Sequence, residues 1–410
     1  MNRREFLGRA AGSIAAASAL VANPAKAQSV APSDTINLGI IGPGARGQEV
    51  MRNFLRVPGV RFSALCDVYE PRFDQSRKVT GEDTPTYLDY RQLLDAKDVD
   101  AVVIATPLSF HEEHVIAALA SGRPVYSEKD MALTLDGCDH VYAAVKRYGK
   151  PYQFGTQYHF APWFRKSLQA IRDGKIGPVT QIYSCWHRNN SWRRPVPDPK
   201  FERLINWRMY REYSGGLLAE LGTHLIQWAN EIYGAMPVSC VGSGGIDYWL
   251  DGREVPDNLQ VIYRYPGGQS LFFSALTTNR YDGMRACIYG TGGTFVLTED
   301  SGTQYWEPMT PNSAVPDQLA MQNGVLTGAS FRSELPYTGQ GETFENPQGL
   351  EGSPDFIACR TFIDCLRNNK KPELDENIGW QAGICVALGN QAIDKKTHIE
   401  FGDRAHLPVA

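Results

Sequence analysis

Residues 36–47 read Ile-Asn-Leu-Gly-Ile-Ile-Gly-Pro-Gly-Ala-Arg-Gly, and Asp67 stands 20 residues beyond the last of these glycines. The opening six residues are apolar enough for a buried strand. Gly42, Gly44 and Gly47 then follow the spacing G-x-G-x-x-G around Ala45 and Arg46, and residues 48–57 carry a helical pattern. A glycine turn between strand and helix, with an acid ending the next strand at Asp67, meets the context of a dinucleotide-binding fingerprint. The glycines let backbone approach a pyrophosphate lying on the helix N-terminus. Asp67 is placed to accept bonds from the adenosine ribose hydroxyls. Its charge repels a 2′-phosphate and favours NAD over NADP, whereas Arg72 nearby favours the opposite. Arg46 suits either a cofactor phosphate or solvent.

Working outward, strand and helix patterns alternate. Helical runs at 71–79, 112–121 and 135–148 separate strands at 99–105, 125–127 and 152–155. This rhythm predicts an α/β fold with a doubly wound parallel sheet, a Rossmann domain over residues 34–155. From residue 156 strand patterns dominate, at 179–186, 237–242, 259–265, 270–276, 285–289 and 293–297, with Pro266-Gly267-Gly268 as a hairpin turn. Residues 156–410 therefore read as an α+β domain with a mostly antiparallel sheet, interrupted by a helix at 216–233. Residues 308–353 are rich in Gly, Pro, Ser, Thr and Asn and read as a long surface loop. Helices at 355–368 and 377–395 follow.

The chain has 410 residues, which suits two domains sharing a cleft. Its 42% hydrophobic and 21% charged residues exclude a disordered or fibrous protein. With 41 basic against 45 acidic residues there is no broad basic field for nucleic acid. The start, Met1-Asn2-Arg3-Arg4-Glu5-Phe6-Leu7, then an alanine-rich apolar run and Ala25-Lys26-Ala27, resembles a twin-arginine export signal over residues 1–27. Its apolar core is too short to span a bilayer, and no later segment reads as a membrane helix. The expected product is soluble and periplasmic, delivered by the twin-arginine machinery after folding. Eight cysteines form no C-x-x-C pair and sit mostly in apolar runs, so they read as buried thiols with no metal site.

Further landmarks sit at strand ends: Thr106-Pro107 with His111 beyond, Glu128-Lys129, and Gly155-Thr156-Gln157. Gly215-Gly216-Leu217-Leu218-Ala219-Glu220-Leu221-Gly222-Thr223-His224 opens the inserted helix, and Gly290-Thr291-Gly292-Gly293 marks a late strand pair. In this order the set resembles the Gfo/Idh/MocA oxidoreductase family across essentially the whole chain after residue 27. The resemblance implies a Rossmann domain followed by a domain with a large open sheet, often a dimer or tetramer interface. It places Thr106, Pro107, His111, Glu128, Lys129 and Gln157 along the cofactor and a sugar or polyol between the domains. Three departures stand out: Asp130 replaces the proline of a Glu-Lys-Pro motif, Glu220 replaces an aspartate four residues before His224, and Leu108 replaces an asparagine.

Oxidising a secondary alcohol needs a base within hydrogen-bond reach of the hydroxyl. Lys129 and His224 are the candidates, with Glu220 orienting either. Positions 220 and 224 share a face of a regular helix. Aromatic and arginine residues cluster between 158 and 210, and Tyr158, Trp192, Arg193 and Arg208, with His224, are the candidate sugar contacts. An exported enzyme has no soluble NAD pool, so its nucleotide is expected to be tightly bound. Three functions remain open: an oxidoreductase acting on a ring hydroxyl such as C3 of a sugar or glycoside; a glycoside hydrolase working through transient C3 oxidation, elimination and water addition; and a non-catalytic sugar-binding protein.

Overall fold

The computed structural model describes residues 35–307, 319–322, 325–329 and 340–407. The twin-arginine segment lies outside the described residues.

Six parallel strands form the first sheet: β1 (Ile36–Ile41), β2 (Val60–Cys66), β3 (Thr86–Tyr87), β4 (Ala101–Ile104), β5 (Val125–Glu128) and β6 (Tyr152–Gly155), in the order β3-β2-β1-β4-β5-β6. Helices α1 (Ala45–Phe54), α2 (Pro71–Thr80), α3 (Tyr90–Asp95), α4 (His111–Ala120) and α5 (Leu135–Tyr148) connect them. Strands buried on both faces need continuous apolar runs, and Leu38, Ile40, Val102, Val103 and Ile104 have no exposed surface.

The second sheet is built from β7 (Val179–His187), β8 (Ser239–Gly245), β9 (Asn258–Arg264), β10 (Ser270–Leu276), β11 (Met284–Gly290), β12 (Gly293–Thr298) and β13 (Ser301–Trp306). Only β7 and β10 run parallel to one another; the other pairs in this sheet are antiparallel. Alternation sets the faces: Leu271, Phe273 and Ala275 of β10 are fully buried, packed with α6 (Pro162–Arg172) and α7 (Thr223–Tyr233) in one core.

The expected surface loop at 308–353 is corrected in part. Residues 319–322 and 325–329 pair as short strands, β14 and β15, and β16 (Gln340–Glu345) adds an edge to the large sheet beside β13. An edge strand with one face in solvent needs few apolar residues; the ring of Phe344 stacks on Phe295 at 6.3 Å. The short β17 (Ile399–Glu400) closes the other edge.

Helix α8 (Pro354–Arg367) crosses back to the first sheet, where Phe356, Cys359, Phe362 and Ile363 join Phe54, Phe62 and Tyr126 in one core. The last helix, α9 (Glu376–Lys395), packs on α5 and β8. All eight cysteines are buried and unpaired.

Candidate active site

Every motif that ends a strand of the first sheet reaches the same edge, the carboxyl end where open parallel sheets bind ligands. Gly42 follows β1, Asp67 β2, Thr106 β4, Lys129 β5 and Gln157 β6. Gly42 has φ 86°, and a Cβ there would stand 2.8 Å from the Ala105 carbonyl oxygen. A Cβ on Gly47 would stand 2.5 Å from the Gly42 carbonyl oxygen. Helix α1 starts at Ala45 with no side-chain cap on Gly44 and no acid in its first turn. Its leading N–H groups are thus free of side-chain acceptors, as an anion site requires. These features fit the pyrophosphate of a dinucleotide. Asp67 accepts from the Tyr69 N–H at 2.9 Å and lies 3.5 Å from Arg72 Nε, while Arg72 also packs beside Gly44. Burial raises the Asp67 carboxyl, against the pull of Tyr69 N–H and Arg72.

Two of the expected cofactor contacts have partners within the chain. Arg46 pairs with Glu49 at 3.0 Å, Glu128 at 3.0 Å and Asp355 at 2.7 Å. His111 is 1% exposed and lies behind the wall, Nδ1 2.6 Å from the Asp130 carbonyl oxygen and Nε2 3.0 Å from that of Thr106. The one N–H of the neutral imidazole donates to one of these two carbonyls. Pro107 sits before a single tight turn, Leu108–Phe110.

A cavity of about 370 Å³ runs from Arg46 and Thr106 past Gln157 to Trp192 and His224. Lys129 lines it. Its Nζ donates to the carbonyl oxygens of Ala219 at 2.9 Å and Glu220 at 3.0 Å and lies 3.7 Å from Glu220 Oε2. Glu220 accepts from Arg208 Nε at 2.9 Å. Burial alone would raise its carboxyl, but Arg208 and Lys129 hold it at about 2. His224 is 3% exposed, its Nδ1 lacks a hydrogen-bond partner, and its ring stands edge-on to Tyr158 at 5.2 Å. Burial, then Lys129 and Arg46, push its pKa well below the usual imidazole value, so it is neutral.

The sequence pattern predicted regular α-helix before His224, and the structure departs from it. Residues Leu218–Gly222 form a wider π-turn, and the α-helix starts at Thr223. Such turns recur at functional sites. This one aims the Ala219 and Glu220 carbonyls at Lys129 while its side chain still meets Arg208.

Trp186, Trp192 and Trp207 line the outer wall with Tyr158, whose hydroxyl donates to Glu299 at 2.8 Å. Arg188 lies over the Trp186 ring and Arg208 over the Trp207 ring, at 5.2 and 4.2 Å. Trp192 has φ 61°, rare for a bulky residue, with its N–H on Asn190 Oδ1 at 3.1 Å. Arg193 is outside the cavity: its guanidinium binds Asp251 and Glu202 and anchors this loop. Sequence reasoning did not name Glu49, Arg188 or Asp355. Asp355 arrives on α8, with no local signal in the sequence.

The sequence profile of the oxidoreductase family with an NAD-binding Rossmann fold, GFO/IDH/MocA, matches residues 36–156, and that of the GFO/IDH/MocA C-terminal domain matches residues 164–296. The chain belongs to the Gfo/Idh/MocA family. A glycosyl hydrolase family 109 protein of Shewanella baltica is 24% identical, the alignment covering 98% of this chain and 96% of that one. An inositol 2-dehydrogenase of Serratia proteamaculans is 34% identical over 38% of this chain and 46% of its own length. Among solved structures of the same fold, a levoglucosan dehydrogenase bound to NADH and levoglucosan superposes with TM-score 0.72 at 18% identity, covering 89% of this chain and 99% of that one. An aldose–aldose oxidoreductase of Caulobacter crescentus gives 0.68 at 19%, again covering 89% and 99%. The peptide between Lys129 and Asp130, where the resemblance implied a proline, is cis.

Proposed function

We propose that this protein oxidises a secondary ring hydroxyl of a sugar or glycoside, with NAD held tightly and Lys129 as the base. The bonds of Lys129 carry this reading. A neutral amine has two N–H groups and one lone pair. The Ala219 and Glu220 carbonyls take two N–H groups of Nζ, which leaves its third position, a proton in the ammonium or a lone pair in the free amine, for a substrate hydroxyl. A substrate hydroxyl seated there passes its proton to Nζ as the carbinol hydrogen departs as hydride. NAD, when bound, supplies the hydride acceptor. The Ala219 and Glu220 carbonyls steady the resulting ammonium, and ionised Glu220 balances its charge. Neutral His224 orients the sugar by a hydrogen bond, and the tryptophan wall takes its apolar face. Asp67 supports NAD over NADP.

A second reading has a specific observation behind it: a relative matched along 98% of the chain is named a glycosyl hydrolase family 109 protein, whereas the inositol dehydrogenase match covers 38% of the chain. Here oxidation at C3 is transient. The C2 proton becomes acidic, the aglycone leaves by elimination, water adds, and the hydride returns. That cycle needs no second redox partner, which suits an exported enzyme, the reading carried by Arg3-Arg4.

Purified protein without added cofactor is incubated with sugars and glycosides in deuterated water, and products are read by mass spectrometry. A keto sugar with its aglycone attached supports net oxidation. Free sugar with deuterium at C2 and no net oxidation supports hydrolysis. No turnover by protein with nucleotide bound overturns both and leaves a sugar-binding protein.

A further inference from the structure

Among the carboxyls of the cavity wall, Glu49, Glu128 and Asp355 pair with Arg46, and Glu220 pairs with Arg208 and Lys129. Asp130 has no ion pair among the described residues, although it is 1% exposed and follows Lys129 directly. Its Oδ1 accepts the Met131 N–H at 3.0 Å, and its Oδ2 lies 3.2 Å from Thr223 Oγ1. Thr223 Oγ1 also lies 2.8 Å from the Ala219 carbonyl oxygen, the same oxygen that receives Lys129 Nζ.

One hydroxyl proton cannot serve both neighbours. The carbonyl can only accept and is the closer. A proton on Asp130 Oδ2 completes the set: Asp130 donates to Thr223, Thr223 donates to Ala219, and Lys129 takes the other lone pair of that carbonyl. An ionised Asp130 would draw the Thr223 proton away and bury a charge without a paired cation.

We propose that Asp130 is a positioning residue, whose neutral acid form holds the Ala219 carbonyl through Thr223 and keeps a second negative charge away from Lys129. The proposal rests on Lys129 as the base. An adjacent anion would favour the ammonium over the free amine; a neutral acid does not.

The groups facing Asp130 agree. The charged neighbour is the Glu220 carboxylate, and Lys129 is the base on which Asp130 bears. The thiols of Cys138 and Cys385 and the phenols of Tyr152 and Tyr263 are pushed up by burial and stay neutral. His111, at the Asp130 carbonyl, is lowered by burial. Burial also lifts Asp130 to about 7, against Lys129, the Met131 N–H and Thr223, so the acid form is present at neutral pH and is lost as pH rises.

Asp130→Asn keeps the shape, offers Thr223 an N–H and cannot ionise. The expected result is that kcat/KM rises with pH about one unit earlier than in the wild type, the lower end of what a close charge does to its neighbour. Thr223→Ser should keep the wild-type profile, and Thr223→Val should lose it. Superimposable wild-type and D130N profiles overturn the proposal. A readout independent of turnover is difference infrared spectroscopy with isotope-labelled aspartate. The wild type at slightly acid pH should show a buried protonated carboxyl whose C=O stretch moves in T223V. Only carboxylate there overturns the proposal even if D130N does not fold. Failure of the Lys129 reading would appear separately, as unchanged activity in Lys129→Ala.

Discussion

His159 and His224 are both buried, at 2% and 3% exposure, and both lie beside the aromatic cluster of the second half. Their surroundings are opposite. His159 Nδ1 meets Glu231 at 3.0 Å and Nε2 meets Glu373 at 3.1 Å, with Arg165 and Gln227 alongside. Burial alone would lower its pKa, but the two glutamates raise it. His224 lines the cavity with no carboxylate partner among the described residues and an unbonded Nδ1, and is held neutral. A buried polar group with all its partners is structure; one left short at a cavity wall is ready for a ligand.

The largest expected effect extends this contrast to Lys129, the partly exposed base of the same cavity. Lys129→Ala should lower kcat by about 10³-fold or more, within the range of a positioned acid–base group. Bound nucleotide and melting temperature should stay as in the wild type. Unchanged turnover would remove Lys129 from the mechanism. Next, His224→Ala should cost on the order of 10²-fold in kcat/KM, as for a lost substrate hydrogen bond to a preorganised group. Steady-state kinetics on the same glycosides checks both.

His159→Gln breaks the comparison from the other side. It should leave turnover within about twofold but lower unfolding free energy by about 2 kcal/mol, less than a fully buried pair because Glu373 is half exposed. An equal loss of activity in H159Q and H224A would show that hydrogen-bond saturation does not separate the two roles. Urea midpoints across pH sharpen the point. Raised in the fold, His159 stabilises fully below the ordinary imidazole pKa, and the contribution fades as pH rises through its folded value. The gap between wild type and H159Q should therefore narrow at alkaline pH. His224 is lowered in the fold, so its protonation favours the unfolded chain. Stability is lost as pH falls below about 6.5, and H224A should escape that loss. The smallest effect is at the end of β2: Asp67→Asn should narrow the preference for NAD over NADP by about tenfold, one lost charge interaction of roughly 1.4 kcal/mol, read by competitive nucleotide binding.

Much of the frame was legible because it is local. Leu135–Tyr148 and Ser270–Leu276 appear with the bounds their periodicity implied. The strand-end motifs do gather on one edge. Less legible was whatever depended on distant partners. Gln340–Glu345 was hidden by its polar edge position, and the π-turn at Leu218–Gly222 by an ordinary helical pattern. Arg46 sits in the glycine loop as a phosphate ligand would, yet three carboxylates claim it, one from a helix some 300 residues away. Arg193 and Arg208 look alike in the sequence; one anchors a loop and the other lines the cavity.

By itself, the sequence determined the two-part α/β architecture, the cradle for a dinucleotide and the presence of Lys129, Glu220 and His224 as candidate chemistry. Period, glycine spacing and strand-end position express which side chains are buried and where backbone must come close, and these are local quantities. Only the tertiary structure decided which buried groups are satisfied and which are left for a ligand. Charge state, hydrogen-bond partners and desolvation are set by atoms from α8, the π-turn and the second sheet, which meet only once the chain has folded.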